Sequence, residues 1–159
     1  MNPFETAAVD SAGLRKLAEL QALSDTTAKI ESIKTVRSPL QPNVTHVLVT
    51  DSDGFTGLGE TFYGASSVEA HVHDVIYPTL QAEKPYASPS QVAELLHGYV
   101  GYSGSGAEVR ARSAIDIALW DIAAKRAKQP LAKFLNPRSA NQMDTYNTCS
   151  GNRYVSAES

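Results

Sequence analysis

Cysteine is nearly absent from this sequence. Its 159 residues include one, Cys149, which excludes an internal disulfide framework and a zinc site built from cysteines. Charge of one sign is also missing, because 14 basic and 17 acidic residues leave a net charge of −3. The chain therefore has neither the basic excess typical of nucleic-acid-binding proteins nor a long acidic tail, and we expect no nucleic-acid partner.

Long hydrophobic runs are missing as well. No stretch approaches the roughly 20 apolar residues needed to cross a bilayer, and residues 1–10 lack the basic start and apolar centre of a signal peptide. Together with the single thiol, this predicts a cytoplasmic protein without a membrane partner. Apolar residues still make up 42% of the chain, which is enough for the core of one domain.

Alternating and β-branched patterns predict strands in the first half of the chain. Three segments have them: residues 30–37, 44–51 and 55–61. In the second segment, Val47 and Val49 share one face of the predicted strand. Gly54 can adopt the positive φ that closes a hairpin. The sequence thus predicts a three-stranded antiparallel meander.

Helical patterns follow the meander. We expect helices over residues 66–75, 91–99, about 107–128 and 131–135. Ser66 or Ser67 is the expected cap of the first, with Glu69 placed for a capping box if Ser66 is the cap. Pro78 is expected to interrupt that helix, whereas Pro89 suits the first turn of the second.

The longest predicted helix has a clear apolar stripe. Ile115, Leu119 and Ile122 lie at i, i+4 and i+7, so one face is expected to be buried. Asp121 and Lys125 lie at i and i+4 on the other side and predict a solvent-facing ion pair worth about 0.2–0.5 kcal/mol.

Several motifs in this order resemble the N-terminal part of the mandelate racemase and muconate-lactonising branch of the enolase superfamily. They are Gly57-Leu58-Gly59-Glu60, the helix motif at 113–122, Gln129-Pro130-Leu131 and Phe134-Leu135. The similarity covers about residues 29–150. The sequence departs from the family at Lys128 and Asn136, where glycine is usual, and asparagine tolerates the left-handed conformation expected of a helix C-cap.

The resemblance implies an α+β fold, in which a three-stranded antiparallel meander and a helical bundle form an enolase-like capping domain. The capping domain is then expected at 29–137, and a linker with the first strand of a (β/α) barrel at 138–159, that strand being expected at 143–149. Residues 1–28 lie before the similarity and are expected to form a peripheral extension, in which the leucine spacing at 14, 17, 20 and 23 indicates one short helix; a helix that docks on an oligomer partner is the alternative. In the family, a barrel residue removes the proton α to a carboxylate and Mg²⁺ stabilises the enediolate. The base and the three acidic metal ligands lie downstream of the first barrel strand. The resemblance therefore implies a chain truncated before most of the barrel, with no catalytic residue and no metal ligand.

The resemblance also implies a lid over the barrel mouth, built from the loops at 38–43 and 61–65. The candidate substrate-binding residues are Leu40, Gln41, Asn43, Phe62 and Tyr63. Asn147 and Cys149 are further candidates at the end of the first barrel strand, because barrel active sites form at that end. They alternate with Tyr146 and Thr148, and since only one of the two pairs can point inward, that second pair is the alternative.

Other constellations predict little chemistry. His71 and His73 lie two apart on a predicted helix and diverge by about 200°, so they are poorly placed to share a metal ion. The glycine-rich stretch 101–106 follows a helix and lacks the lysine of a phosphate-binding loop. We expect structural roles for both.

Three functional hypotheses remain. The first is the substrate-capping portion of a Mg²⁺-dependent lyase or isomerase, with dehydration of a sugar acid favoured over racemisation, epimerisation or cycloisomerisation. That parent enzyme is expected to bind a small carboxylate or sugar acid and to form a homo-oligomer. The alternatives are a non-catalytic interaction module and a structural remnant. In every case we expect the chain alone to be inactive and to expose an apolar patch.

Overall fold

The structure is a computed structural model that describes residues 11–97 and 106–145. Its described strands form one antiparallel sheet in the order β1-β2-β3. They are β1 (Ile30–Ser38), β2 (Gln41–Asp51) and β3 (Thr56–Phe62). The predicted meander is confirmed.

The two faces of the sheet differ in burial. Ile33 of β1 pairs with Val49 of β2, and both are buried on the face that the helices cover. On the opposite face, Val36, Leu58 and Phe62 are about half exposed, at 50%, 49% and 47%. Among the described residues, the apolar surface expected from the sequence therefore includes this open face.

The helices follow the sheet in the chain, except for the first. They are α1 (Ser11–Ser24), α2 (Ala65–His71), α3 (Tyr77–Glu83), α4 (Pro89–Leu96), α5 (Ala107–Arg126) and α6 (Leu131–Leu135). α1 contacts α4 and α5, and Asp25 just after it accepts a hydrogen bond from Ser88 Oγ at 3.1 Å. The helix in the N-terminal segment is thus joined to the helical layer.

Pro78 does not interrupt the helical path, so that prediction was wrong. A π-helical turn, Val72–Ile76, joins α2 to α3, and in it Tyr77 N–H donates to Val72 O, five residues earlier. Because the wider turn comes directly before Pro78, the missing proline N–H falls at the start of α3, where a helix loses least.

Two predicted helix ends were also wrong. α2 begins after Gly64, and no side chain caps it. Ser66 and Glu69 instead bind Arg37 of β1, at 3.1 and 3.0 Å, so tertiary contacts take the place of the expected capping box. Asn136 has φ −148° and is extended, not left-handed.

The long helix α5 carries the core. Ile115, Leu119 and Ile122 are fully buried, as their spacing predicted. They pack with Val47 and Val49 of β2 and with apolar side chains from α2, α3 and α4. The sheet and the helical layer therefore share one core.

Two glycines let α5 lie directly on β3. A Cβ at Gly57 would be 1.9 Å from Ala118 O, and a Cβ at Gly59 would be 1.8 Å from Ala114 O. Since real Cβ atoms never approach an oxygen this closely, the helix backbone occupies the space that side chains would need. The glycines of the Gly-x-Gly-Glu motif thus have a packing role.

Thr45→Val is expected to stabilise the protein by about 1 kcal/mol. Thr45 is fully buried in β2, and its Oγ1 has no hydrogen-bond partner, so a methyl group of the same shape removes an unpaired polar atom. Urea denaturation followed by circular dichroism measures the change. Thr50→Val is the control, because Thr50 Oγ1 lies 2.9 Å from Thr56 Oγ1. Removing this hydrogen-bonded hydroxyl group should not stabilise the protein. Equal effects of the two substitutions would contradict the prediction.

The helices in the described residues are 5 to 20 residues long. None of these helices is both long and apolar enough to cross a bilayer.

Candidate functional site

Both predicted lid segments lie at the same end of the sheet. β1 ends and β2 begins there, and β3 ends there with Phe62 paired to Val44. Just beyond this pair, Tyr63 N–H donates to Asn43 O at 2.8 Å. The two segments are therefore joined by their backbones, and we call Leu40, Gln41, Asn43, Phe62 and Tyr63 together the lid cluster.

The lid cluster is a surface feature. Leu40, Phe62 and Tyr63 are exposed by 66%, 47% and 64%, although they are large and apolar or aromatic. Gln41 and Asn43 beside them are also exposed, and they offer amide donors and acceptors. An exposed patch that mixes apolar bulk with amides is suited to covering a polar ligand.

The first lid segment is less loop-like than expected. Ser38 pairs with Gln41, so only Pro39 and Leu40 form the turn, and Gln41 to Asn43 belong to β2. The hairpin tip extends three residues beyond the Val44–Phe62 pair, or about 10 Å at ~3.3 Å per residue. Pro42 did not end the strand, because the outermost part of a hairpin tolerates a missing N–H.

The second lid segment is a tight corner between β3 and α2. Tyr63 has φ +77° and Gly64 has φ +69°. Glycine adopts this left-handed conformation freely, but for a tyrosine it costs on the order of 1–3 kcal/mol. Such strain persists only where neighbouring contacts hold the residue in place.

Arg110 of α5 supplies contacts of that kind. Its Nη1 donates to Phe62 O at 2.5 Å, and its guanidinium carbon lies 5.8 Å from the centre of the Tyr63 ring, within range of a cation–π interaction. Arg110 was not among the residues predicted from the sequence. A cation near a helix N-terminus opposes the helix dipole, and this was the one signal that could have singled it out.

Side chains of α5 also occupy the free edge of β3. Asp121 Oδ2 accepts from Leu58 N–H at 2.9 Å, and Lys125 Nζ donates to Thr56 O at 2.7 Å. The predicted Asp121–Lys125 ion pair is confirmed at 2.7 Å, but it binds the strand and does not simply face solvent. The edge of β3 is thereby closed to pairing with another strand.

Burial shifts the pKa values of His71 and Asp116. Burial lowers the pKa of His71, while the negative charge of Glu108 raises it, and the net shift is downward. Burial raises the pKa of Asp116, opposed by a hydrogen bond from Trp120. Because Asp116 has a partner on its own helix, we assign it a structural role.

In residues 11–97 and 106–145, no three His, Cys, Asp or Glu side chains converge as a metal site would require. His73 Nε2 lies 2.8 Å from Thr35 Oγ1, so it is engaged with the sheet. In the motif Gly57-Leu58-Gly59-Glu60, the carboxylate oxygen Oε2 of Glu60 lies 3.5 Å from His46 Nδ1.

The predicted residues near the C-terminus lie mostly outside the described part of the chain. Asn147 and Cys149 are outside it, as is most of 143–149, and residues 143–145 have no regular secondary structure. The glycine-rich stretch is also outside it, except Gly106, which precedes α5.

Comparison with known families gives one long match. The sequence profile described as "Mandelate racemase / muconate lactonizing enzyme, N-terminal domain" matches residues 18–136. This range spans every described strand, α2 to α6 and part of α1.

Similar proteins include named sugar-acid dehydratases. The chain is 36% identical over 106 residues to the L-talarate/galactarate dehydratase of Salmonella typhimurium, covering 65% of this chain and 26% of that protein. It is 36% identical over 114 residues to a D-galactonate dehydratase family member of Catenulispora acidiphila, covering 70% and 26%. The chain thus spans about a quarter of the length of these relatives.

A solved structure has the same fold over the matched region. It is an enolase of the mandelate racemase subgroup from Agrobacterium tumefaciens, with a succinimide residue, sodium and phosphate. Its sequence identity is 46% and its TM-score 0.58, over 68% of this chain and 29% of that one.

Proposed function

The chain belongs to the mandelate racemase / muconate lactonizing enzyme family of the enolase superfamily, and on that premise we propose that it is the substrate-capping portion of a sugar-acid dehydratase. The observation that carries this proposal is the lid cluster, in which both predicted segments meet at one end of the sheet with apolar, aromatic and amide groups exposed. The choice of dehydration rests on the similar proteins, one of which is an L-talarate/galactarate dehydratase and another a D-galactonate dehydratase family member.

We propose that the lid cluster excludes water and orients the substrate. Leu40 and Phe62 offer apolar surface, and closing such surface over a site strengthens the electrostatic interactions inside it. Gln41 and Asn43 offer the donors and acceptors that a polyhydroxy acid requires. Dehydration removes the proton α to the carboxylate and then the hydroxyl group on the next carbon, so that the net loss is one molecule of water.

A metal ion, normally Mg²⁺ in this family, would stabilise the enediolate. The described residues do not fit that ion, because they contain no convergent set of three acidic or histidine ligands. This part of the chain is therefore proposed to take no direct part in a metal-dependent step. The metal ligands and the base are proposed to lie in barrel sequence outside it.

Racemisation, epimerisation and cycloisomerisation remain the alternative reactions. A homo-oligomer also remains a proposal, supported by the open sheet face with half-exposed Val36 and Leu58. A non-catalytic module is the other alternative, supported by the absence of a convergent metal-ligand set from the described residues.

The test begins with the coding sequence beyond Ser159. We expect it to continue through a barrel with three spaced acidic residues and a lysine or histidine base. The full-length enzyme, with Mg²⁺, is then incubated with galactarate, galactonate and arabinonate in D₂O, and proton NMR follows the products. We expect loss of water from at least one acid and no turnover by the 159-residue chain.

The alternatives give different spectra or sequences. Deuterium incorporation with no loss of water would indicate a racemase or epimerase. A stop codon directly after Ser159 would contradict a catalytic parent and favour the interaction module.

A further inference from the structure

We propose that Arg110 is a positioning residue for the lid. Its guanidinium group holds the Phe62–Tyr63 corner in the conformation that presents the Tyr63 ring at the open end of the sheet. The presentation to substrate rests on the proposed function, whereas the positioning itself is a property of this chain.

Two contacts of Arg110 converge on the corner. One is the hydrogen bond from Nη1 to Phe62 O at 2.5 Å, and the other is the guanidinium carbon 5.8 Å from the Tyr63 ring centre. The hydrogen bond is charge-assisted and therefore stronger than a neutral one. Arg110 thus holds the backbone on one side of the corner and the side chain on the other.

The corner needs such support because Tyr63 is left-handed, with φ +77°. Tyr63 N–H is held by Asn43 O, and Gly64 O accepts from Val68 N–H. These bonds fix the backbone of the corner but do not orient the tyrosine ring. Arg110 contributes that orientation through its cation–π contact.

Arg110 stands on a rigid base. Arg110 lies five residues before Ile115 on α5, and Ile115 is fully buried. The same helix packs directly on Gly57 and Gly59 of β3. In the described part of the chain, Arg110 has no carboxylate within ion-pair distance. Its positive charge therefore acts on the Phe62–Tyr63 corner. The planar guanidinium group of arginine can contact a carbonyl and an aromatic ring together, which the compact ammonium group of lysine does poorly.

The test is Arg110→Met in the 159-residue chain, measured by amide hydrogen exchange with NMR detection. We expect exchange at Tyr63 N–H to become about tenfold faster, as for loss of a charge-assisted hydrogen bond, and the ring protons of Tyr63 to shift towards free-tyrosine values. Arg110→Lys keeps a donor and should give an intermediate rate. Global stability is measured alongside by urea denaturation, to separate local opening from unfolding.

Arg112→Met is the matched control. It removes the same charge from the same helix, but Arg112 donates to Leu96 O at 3.4 Å, so exchange at Tyr63 should stay at the wild-type rate. Equal Tyr63 exchange in the wild type and Arg110→Met would overturn the proposal, as would the same acceleration in Arg112→Met. The exchange experiment contains no substrate, so a failed dehydration assay would leave its result for Arg110 unchanged.

Discussion

Gly59→Ala is expected to destabilise the protein by about 3 kcal/mol or more, at the upper end of overpacking effects. The new Cβ would lie 1.8 Å from Ala114 O and 2.7 Å from the carbonyl carbon. Both atoms belong to the backbone of α5, so they are unable to rotate away as a side chain would. The helix must instead move off β3 and open the core around Ile115. Urea denaturation followed by circular dichroism measures the loss.

The matched control for that substitution is Gly54→Ala. Gly54 has φ +85° and nothing within 4 Å of its would-be Cβ, so the cost should be only the left-handed strain, about 1 kcal/mol. If Gly59→Ala were no more destabilising than Gly54→Ala, the contact between helix and strand would be looser than we infer.

Local periodicity predicted most of the fold. The alternation around Val47 and Val49 predicted β2 and put these two residues on one face, which the structure shows to be buried, because every second residue of a strand lies on the same face. The stripe of Ile115, Leu119 and Ile122 predicted α5 and the face that it buries. These patterns were informative because burial on one face constrains every residue of the element.

The errors came where tertiary contacts compete with local rules. Ser66 and Glu69 have the spacing of a capping box, but Arg37 from another element binds them both.

Lys128, which stands where glycine is usual in the family, has φ +54°. Glycine is usual at this position because glycine adopts the left-handed conformation readily, but a lysine in the sequence does not predict that conformation.

The candidate site was predicted only in part. The resemblance named Asn43, Phe62 and Tyr63, and the structure joins Asn43 to Tyr63 by a backbone hydrogen bond. It did not name Arg110, which lies 48 residues from Phe62 in sequence. No local pattern encodes a contact of that separation, since it depends on how α5 is placed across β3.

Arg126→Met is expected to destabilise the protein by about 3 kcal/mol, the lower end for breaking a buried ion pair. The Asp51 side chain is fully buried, and Arg126 Nη2 lies 2.6 Å from its Oδ2. Without Arg126, the donors that remain to the Asp51 carboxylate in the described part of the chain are the N–H groups of Asp53 and Phe55, at 3.0 and 2.9 Å. Arg126 also lies 4.8 Å from the Phe55 ring centre, so its loss weakens the whole β2–β3 turn.

The control is Asp53→Asn, which acts on the same guanidinium group. Arg126 Nη1 lies 2.8 Å from Asp53 Oδ2, but that side chain is 54% exposed, so the cost should be at most about 1 kcal/mol. Adding Asp51→Asn to Arg126→Met removes the stranded charge, and the double variant should be less destabilised than the sum of the single changes. Equal losses from Asp53→Asn and Arg126→Met would contradict the assignment, because burial of Asp51 is what makes its ion pair the stronger of the two.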